Sequence, residues 1–557
     1  MVDSSREMKM TQTIADPRRR ALPDPAEDQT KPYRSFLRGA LLILAGAAAL
    51  RIVIAMLMPC ISRDGVVFCW FAEALGTQGS AYLRDAGARQ HPLFPFLILQ
   101  VHAVLRMFGA GESPLLWQAA GQIVTVSAGI VVVALTGALT LRWVRSVAPD
   151  FNAPRCALFA MVLAALLPLN VWHSADVMSD EVHLAFYLAA AVCIVQLHGW
   201  TAVVCCGIFA ALAYLTRPEG AVPLIAALCV LGIRAWRERS GRAVGQALVL
   251  VVAFALTALP YWISAGTLSR KKSLFANVST TIEPIHNPRS PMKIARASSS
   301  APLLAKLELH DLRWFELLPQ TLLSTFRAGR VVVPLLAIWS LLTLGSRLRT
   351  PGSIGIFLCI LGHLALVIWL LERHKYQQPR HLLVVVALLT PLAGMTLAQL
   401  HARAILIRNI WPHILTAFLV YLPLALYAIR LPNFADRFWV RAATELRKED
   451  GAIASKHVLS GSAGRRLAFY ADASWLYWPE DATRPDLLTK QLQREKPEYF
   501  AIVIGPGNET KGNDEIAAAL ERGDLIDTAI ISTLRMLTGH GDELRIYRFD
   551  RTGVAQD

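Results

Sequence analysis

From about residue 36 to residue 430 the chain alternates long apolar runs with short polar breaks, and most runs are long enough to cross a hydrocarbon core of ~30 Å. The runs fall near 36–59, 92–109, 114–141, 156–171, 181–198, 200–216, 219–235, 243–264, 331–346, 353–371, 380–400 and 408–430. This pattern predicts a mainly α polytopic membrane protein with about 11–13 transmembrane helices. One long interruption, residues 266–330, begins with Arg270, Lys271 and Lys272 and passes Pro284, Pro288 and Pro291. Its end, Leu303 to Leu323, has an amphipathic helical pattern, so this loop reads as a lid or a membrane-surface segment.

The pattern changes at about residue 431. Short apolar stretches at Arg466–Tyr470, Tyr499–Gly505 and Leu544–Phe549 predict strands, and Asp486–Glu495 and Asn513–Arg522 predict helices. Residues 431–557 are therefore expected to form a small soluble α/β domain, after a transmembrane domain spanning 34–430. Gly505-Pro506-Gly507 follows a strand but completes neither a Walker motif nor a dinucleotide fingerprint.

Residues 1–33 are polar and rich in Pro and charge, which predicts disorder. Arg18, Arg19, Arg20, Lys31, Arg34 and Arg38 flank the first run on its N-terminal side. That bias places the N-terminus in the cytoplasm and the next loop outside. The run itself is too long for a signal-peptide core and reads as a retained span.

Composition reinforces the membrane assignment: 54% of residues are hydrophobic and mean hydropathy is +0.42. A formal charge of +15 fits loops that orient spans and touch anionic lipid. Neither a zinc-finger spacing nor an aromatic–basic ribbon accompanies it, which argues against a nucleic-acid partner. The eight cysteines lie in or beside apolar runs and form no disulfide or metal pattern.

Candidate chemistry gathers at the ends of the runs. Asp64 follows the first run, where an acid can stay ionised and act as a general base on a substrate held in lipid. The stretch Val66–Ala74 behind it predicts an interfacial helix, with Glu73 and then Asp85 as further acids. His91-Pro92 opens the second run, and that helix N-terminus suits a phosphate. His173, Asp176, Asp180, Glu181 and His183 form a second polar cluster. Asp180 and Glu181 are its candidate ligands for a divalent metal, although acids at that position also complement a helix dipole. Arg217-Pro218-Glu219-Gly220 divides two runs that nearly touch and offers a headgroup anchor. His374-Lys375-Tyr376 and Arg380-His381 supply cations for a leaving phosphate.

Strict alternation of spans puts the loop at Ala175–Glu181 on the side opposite Asp64. It also puts Arg142, Arg145 and Arg155 outside, against the positive-inside bias. Either a span is missing within 92–141 or one run dips without crossing.

The order of these features resembles the GT-C type polyprenyl-phosphate-sugar-dependent glycosyltransferases, which include protein mannosyltransferase-like and lipid A aminoarabinose transferase-like enzymes. The order is an acid after the first span, a His-Pro pair, a Ser-Asp-Glu segment, Thr-Arg-Pro-Glu-Gly, and a late basic segment, over residues 36–430. The resemblance implies inverting transfer of a sugar from a polyprenyl-phosphate-linked donor to a glycan, glycolipid or protein acceptor, on the non-cytoplasmic face of an inner or plasma membrane. It implies Asp64 as the catalytic acid of the first loop, His91 in the His-Pro motif, Asp180 as the second acidic position and Arg380 near the carrier phosphate. Arg217, Glu219 and His381 join them as candidate substrate-binding residues. The family often carries an acidic pair where this chain has Asp64-Gly65, and that departure weakens the case for a metal: no cofactor is certain, and a divalent metal at Asp180 and Glu181 is a candidate only. A secondary transporter and a non-catalytic assembly protein are the rival classes. No repeat between halves supports the transporter, and the candidate charges lie at run ends rather than centres.

Overall fold

A computed structural model describes residues 25–84, 90–269, 314–374, 378–406, 416–429, 437–450, 456–461, 464–477, 485–495, 497–504, 513–522, 530–537 and 543–549. Polar caps set the helix starts. Ser62 accepts from the Gly65 amide at 3.1 Å and opens α2 (Arg63–Gln78), just after α1 (Pro25–Leu57). Ser113, with Pro114 in the first turn, opens α4 (Pro114–Val147), and Asn152 caps α5 (Ala153–Leu166). Between α2 and α4 lies α3 (Leu93–Met107).

Proline bends the next span. Pro168 lacks an amide hydrogen and pushes Leu167 to an extended ψ of 114°, so α5 and α6 (Pro168–Ala175) meet at 56°. The chain continues through α7 (Ser179–Ile194), α8 (Trp200–Thr216), α9 (Val222–Glu238) and α10 (Gly241–Ala265). After the long loop come α11 (Trp314–Ala328) and α12 (Val332–Leu344), then α13 (Pro351–His374) and α14 (Leu383–Leu406). A π-turn at Ala417–Tyr421 runs into α15 (Leu422–Ala428).

Among the described residues, six helices are long and apolar enough to cross a bilayer, and two bent pairs, one at 56° and one at 108°, pass the same test. Helix α3, helix α8 and the segment Ala417–Ala428 are shorter apolar helices. Large apolar side chains on the outer faces of these helices stay exposed, Met56 at 81% and Leu342 at 76% among them, as expected of surfaces that meet lipid.

The C-terminal part begins with α16 (Arg437–Asp450) and builds a five-stranded sheet ordered β2-β1-β3-β5-β4. The strands are β1 (His457–Ser460), β2 (Ser474–Tyr477), β3 (Tyr499–Ile504), β4 (Ile530–Leu537) and β5 (Glu543–Phe549). Strands β1, β2 and β3 run parallel, and β5 pairs antiparallel with both β3 and β4. Helices α17 (Arg465–Ala471), α18 (Pro485–Glu495) and α19 (Asn513–Glu521) complete the domain. Arg466–Tyr470, expected as a strand, is thus helical. Its side chains from Leu467 to Ala471 are all buried, and a short run buried all round carries no period that separates helix from strand.

Two further expectations change. The Val66–Ala74 stretch is helical, but Val66, Phe68, Cys69, Trp70, Phe71, Ala72 and Ala74 are buried in protein instead of resting on lipid. The alternation of sides also fails. Tyr470 of the C-terminal domain accepts from the Ile61 amide at 2.9 Å and donates to Gln118 near the start of α4 at 2.6 Å. The end of α1 and the start of α4 therefore lie at one end of the bundle, with α2 and α3 between them. Helix α3 does not cross, which moves Asp176 to the Asp64 end: its carboxylate accepts from the Ser62 amide at 3.0 Å.

At the other end, Arg347 after α12 bonds Asp150 after α4 at 2.8 Å, and Trp143 bonds Ser353 at the start of α13. Arg234 of α9 reaches the Leu197 carbonyl there. The Gly505-Pro506-Gly507 segment, Asp85, Lys375 and Tyr376, and most of residues 266–330 lie outside the described residues.

Candidate functional site

Five helix ends meet at the end of the bundle that carries Asp64. In α2, Asp64 occupies the first turn, where the positive end of the helix dipole favours a carboxylate. Opposite it, Arg380 sits in a tight turn (Pro379–Leu382) at the start of α14 and donates from Nη2 to Asp64 Oδ2 at 3.0 Å. Half of the Asp64 side chain remains exposed, at 51%, against 20% for Arg380.

Behind Arg380 lies a small, partly open pocket, lined by Asp180, His183, Arg217, Glu219, His363, Arg380 and His381 with Val367, Leu370, Leu383 and Val384. Arg217 is the centre of its charge. It bonds Asp180 through Nη1 and faces Glu219 at 3.7 Å. The Arg-Pro-Glu-Gly turn makes this geometry possible. A Cβ at Gly220 would lie 2.1 Å from the Ala213 backbone, so only glycine lets the turn fold back onto the end of α8.

The Asp176 segment fastens α6, α7 and α2 together. Besides the Ser62 amide, its Oδ1 accepts from the Val177 amide at 2.7 Å, and Ser62 Oγ lies 3.2 Å from Met178 Sδ. Burial pushes the Asp176 carboxyl above its ordinary value, and the two backbone donors pull it back. Gln122 on α4 adds bonds to the carbonyls of Ala55 and Ala175 at 3.1 and 3.0 Å.

The C-terminal domain closes the outer side of α2. Trp70 packs on Trp475 and Phe469, each at 6.3 Å between centroids, and Arg466 reaches Cys60. Burial raises the Tyr470 phenol well above its ordinary value, so its hydroxyl stays protonated and bridges Ile61 to Gln118.

The structure thus brings Asp64, Asp180, Arg217, Glu219, Arg380 and His381 to one place. His91 stands apart: it is buried against Tyr214 and Tyr261 and bonds Ser269 Oγ at 3.0 Å, and it does not line the cavity. Glu181, one residue past Asp180 and about 100° further round the helix, is fully buried and has the Arg51 guanidinium as its facing cation. His183 and His363 line the cavity as well. His363 carried no sequence signal, because a single histidine inside an apolar run looks like an ordinary core residue.

The donor set does not fit a metal. The two carboxylates that line the cavity, Asp180 and Glu219, face Arg217, Glu181 does not line it, and Arg380 adds a second fixed cation. Among the described residues no group of three or more His, Cys, Asp or Glu is placed to hold an ion. The arrangement suits an anion, which would take up the donors of Arg380 and Arg217.

No family model and no curated protein matches the chain in sequence. Solved structures do match. ArnT from Cupriavidus metallidurans bound to undecaprenyl phosphate is similar at 13% identity and TM-score 0.51, over 91% of this chain and 97% of that one. The archaeal oligosaccharyltransferase AglB from Archaeoglobus fulgidus, in complex with an inhibitory peptide and a dolichol-phosphate, is similar at 13% identity and TM-score 0.56, over 94% of this chain and 75% of that one. An Archaeoglobus fulgidus oligosaccharyltransferase in complex with Zn and sulfate is similar at 12% identity and TM-score 0.53, over 82% of this chain and 67% of that one. At this level of identity the likeness is one of fold, and the chain is a multi-pass membrane protein with the GT-C fold.

Proposed function

We propose that this protein is a membrane glycosyltransferase that moves a sugar from a polyprenyl-phosphate-type carrier to a hydroxyl or amine acceptor. One observation carries the reading. Arg380 holds Asp64 at 3.0 Å while lining the same cavity as Arg217 and Asp180. The groups for the two halves of a glycosyl transfer therefore stand together.

Asp64 is the base. An acceptor O–H or N–H gives its proton to the Asp64 carboxylate as the acceptor lone pair forms the new bond at the anomeric carbon. The bond from that carbon to the phosphate oxygen breaks, and its electron pair leaves on the phosphate. Arg217 and Arg380 stabilise the charge that develops there. Attack from the face opposite the phosphate inverts the anomeric centre. The half-exposed Asp64 meets a glycan, glycolipid or protein acceptor from the open side, and the carrier tail stays in the bilayer. The fold shared with ArnT and AglB, solved with polyprenyl-type phosphates, supports the donor class.

Charge supports the orientation. Arg142, Arg145, Arg155, Arg234, Arg237, Arg347 and Arg349 all lie towards the end of the bundle opposite Asp64. The positive-inside bias makes that end cytoplasmic. The six long helices, the two bent pairs, α7, α8 and the Ala417–Ala428 helix then make eleven crossings. The cavity and the C-terminal domain come to the non-cytoplasmic face of an inner or plasma membrane.

The test is transfer in proteoliposomes with undecaprenyl-phosphate-linked sugars and a membrane extract as acceptor source. Asp64→Asn abolishes labelled product while the protein keeps its melting temperature. Transfer by the variant at the wild-type rate removes Asp64 as the base.

A further inference from the structure

We infer that His183 and His363 form a sugar-hydroxyl subsite on the floor of the cavity, next to the Arg217–Arg380 phosphate end. The assignment rests on the glycosyl-transfer reading and names which part of the donor this region takes.

Both rings line the cavity and are buried, at 3% and 4% exposure. Each is anchored through one nitrogen. His183 Nδ1 lies 3.2 Å from the Ala213 carbonyl, and His363 Nε2 lies 2.8 Å from the His381 carbonyl. A carbonyl only accepts, so each anchored nitrogen carries the hydrogen, and in the neutral ring the other nitrogen is an acceptor. Among the described residues, those second nitrogens, His183 Nε2 and His363 Nδ1, have no hydrogen-bond partner, and neither has Asp180 Oδ2. Tyr187 stands between the rings, with centroids at 5.6 and 6.0 Å, but its hydroxyl is directed to the Cys359 carbonyl at 3.3 Å and satisfies neither.

Three buried acceptors without a donor are costly to leave unmet. Whatever occupies this floor must bring donors. A phosphate or a carboxylate brings only acceptors, so it belongs with the guanidinium groups instead. Sugar hydroxyls bring several donors in one rigid ring. The carrier phosphate therefore sits at Arg217 and Arg380, and the sugar ring points its hydroxyls at the two imidazoles. A neutral hexose offers a donor at every hydroxyl, whereas a uronic acid replaces one of them with an acceptor-only carboxylate.

Two substitutions separate the subsite from the scaffold. His363→Gln keeps a donor for the His381 carbonyl but moves its acceptor off the ring Nδ1 position, and His183→Asn keeps a donor for the Ala213 carbonyl but moves its acceptor off the ring Nε2 position. The full-length protein in nanodiscs is titrated with undecaprenyl phosphate and with its glucosyl, mannosyl and glucuronyl forms. The wild type binds a neutral hexosyl form more tightly than the bare phosphate and the glucuronyl form no more tightly. The double variant loses about tenfold in affinity for that hexosyl form and less than about twofold for undecaprenyl phosphate. Unchanged hexosyl binding by the double variant, or preference of the wild type for the glucuronyl form, overturns the subsite alone. A wild type that does not bind undecaprenyl phosphate overturns the carrier reading and the subsite with it.

Discussion

Arg380 Nη2 donates to Asp64 Oδ2 at 3.0 Å across 316 residues of sequence. Under the proposed mechanism the half-exposed pair exchanges partners: a phosphate arriving at Arg380 would free the Asp64 carboxylate for an acceptor proton. Arg380→Ala is expected to lower kcat/KM by about 10²–10³. Arg380→Lys restores only part of it, because an ammonium lacks the planar fork. Steady-state transfer rates in proteoliposomes give the answer, and an alanine variant within twofold of wild type sinks the role.

Arg217 tests stability as well as binding. Its partners Asp180 and Glu219 have side chains only 4% and 7% exposed, so Arg217→Met leaves two carboxylates buried without their cation. The expected loss is roughly 3–5 kcal/mol, read as a fall in melting temperature in detergent. Adding Asp180→Leu and Glu219→Leu recovers most of that stability and none of the transfer. If the single variant melts like wild type, the carboxylates have another source of compensation.

Tyr470 ties the soluble domain to the site. Tyr470→Phe removes the hydroxyl between the Ile61 amide and Gln118, at a cost of about 1–3 kcal/mol for the polar groups left buried. The loss frees the end of α1 and the first turn of α2, where Asp64 sits. Transfer is expected to slow in kcat with little change in KM for the carrier, and hydrogen exchange in residues 60–66 is expected to rise. Unchanged exchange there means the domain does not steady this helix.

An acid-sensitive contact lies in the C-terminal sheet. Arg545 donates to Glu543 Oε2 through Nε at 3.0 Å and Nη2 at 2.8 Å, and this bond holds the Glu543 carboxyl below its ordinary value. The unfolded carboxyl titrates near the usual ~4.3. The stability from a lowered folded value is present above that point and is lost as pH falls through the folded value. Hydrogen exchange of β5 in the full-length protein should rise below about pH 4.3. Glu543→Gln should flatten that rise, and an identical pH profile in the variant assigns the acid response to another group.

Much of the site could be read from the chain because its charges interrupt apolar runs. Asp64, Arg217, Glu219 and Arg380 each stand at a break, where a charge is costly unless it has a partner or a task. What connects them was hidden. Helix α3 is as apolar as a span, and tertiary bonds such as those of Tyr470 to Ile61 and Gln118 and of Gln122 to Ala55 reveal that both of its ends lie on one side. His363 sits alone in α13, and its neighbours in the cavity come from elements far away in sequence. The failure at Arg466–Tyr470 has the same origin, since tertiary burial on every face erased the local period.

The two ends of the bundle should also label from opposite sides of the membrane. Arg522 ends α19 in the C-terminal domain and is exposed, and Asn152, exposed beside Asp150, caps α5 at the Arg-rich end. With the native cysteines replaced, Arg522→Cys should react with a membrane-impermeant maleimide in intact cells. Asn152→Cys should react only after the membrane is opened. In the proposed orientation α2 and α3 stay at the Asp64 end, so α4 would cross inward and deliver Arg142 and Arg145 to the cytoplasm, where the positive-inside bias places them. Each later span then alternates without conflict to the C-terminal domain. Labelling of Asn152→Cys in intact cells would put the Arg-rich end outside, reverse every crossing, and move the proposed chemistry to the cytoplasmic face.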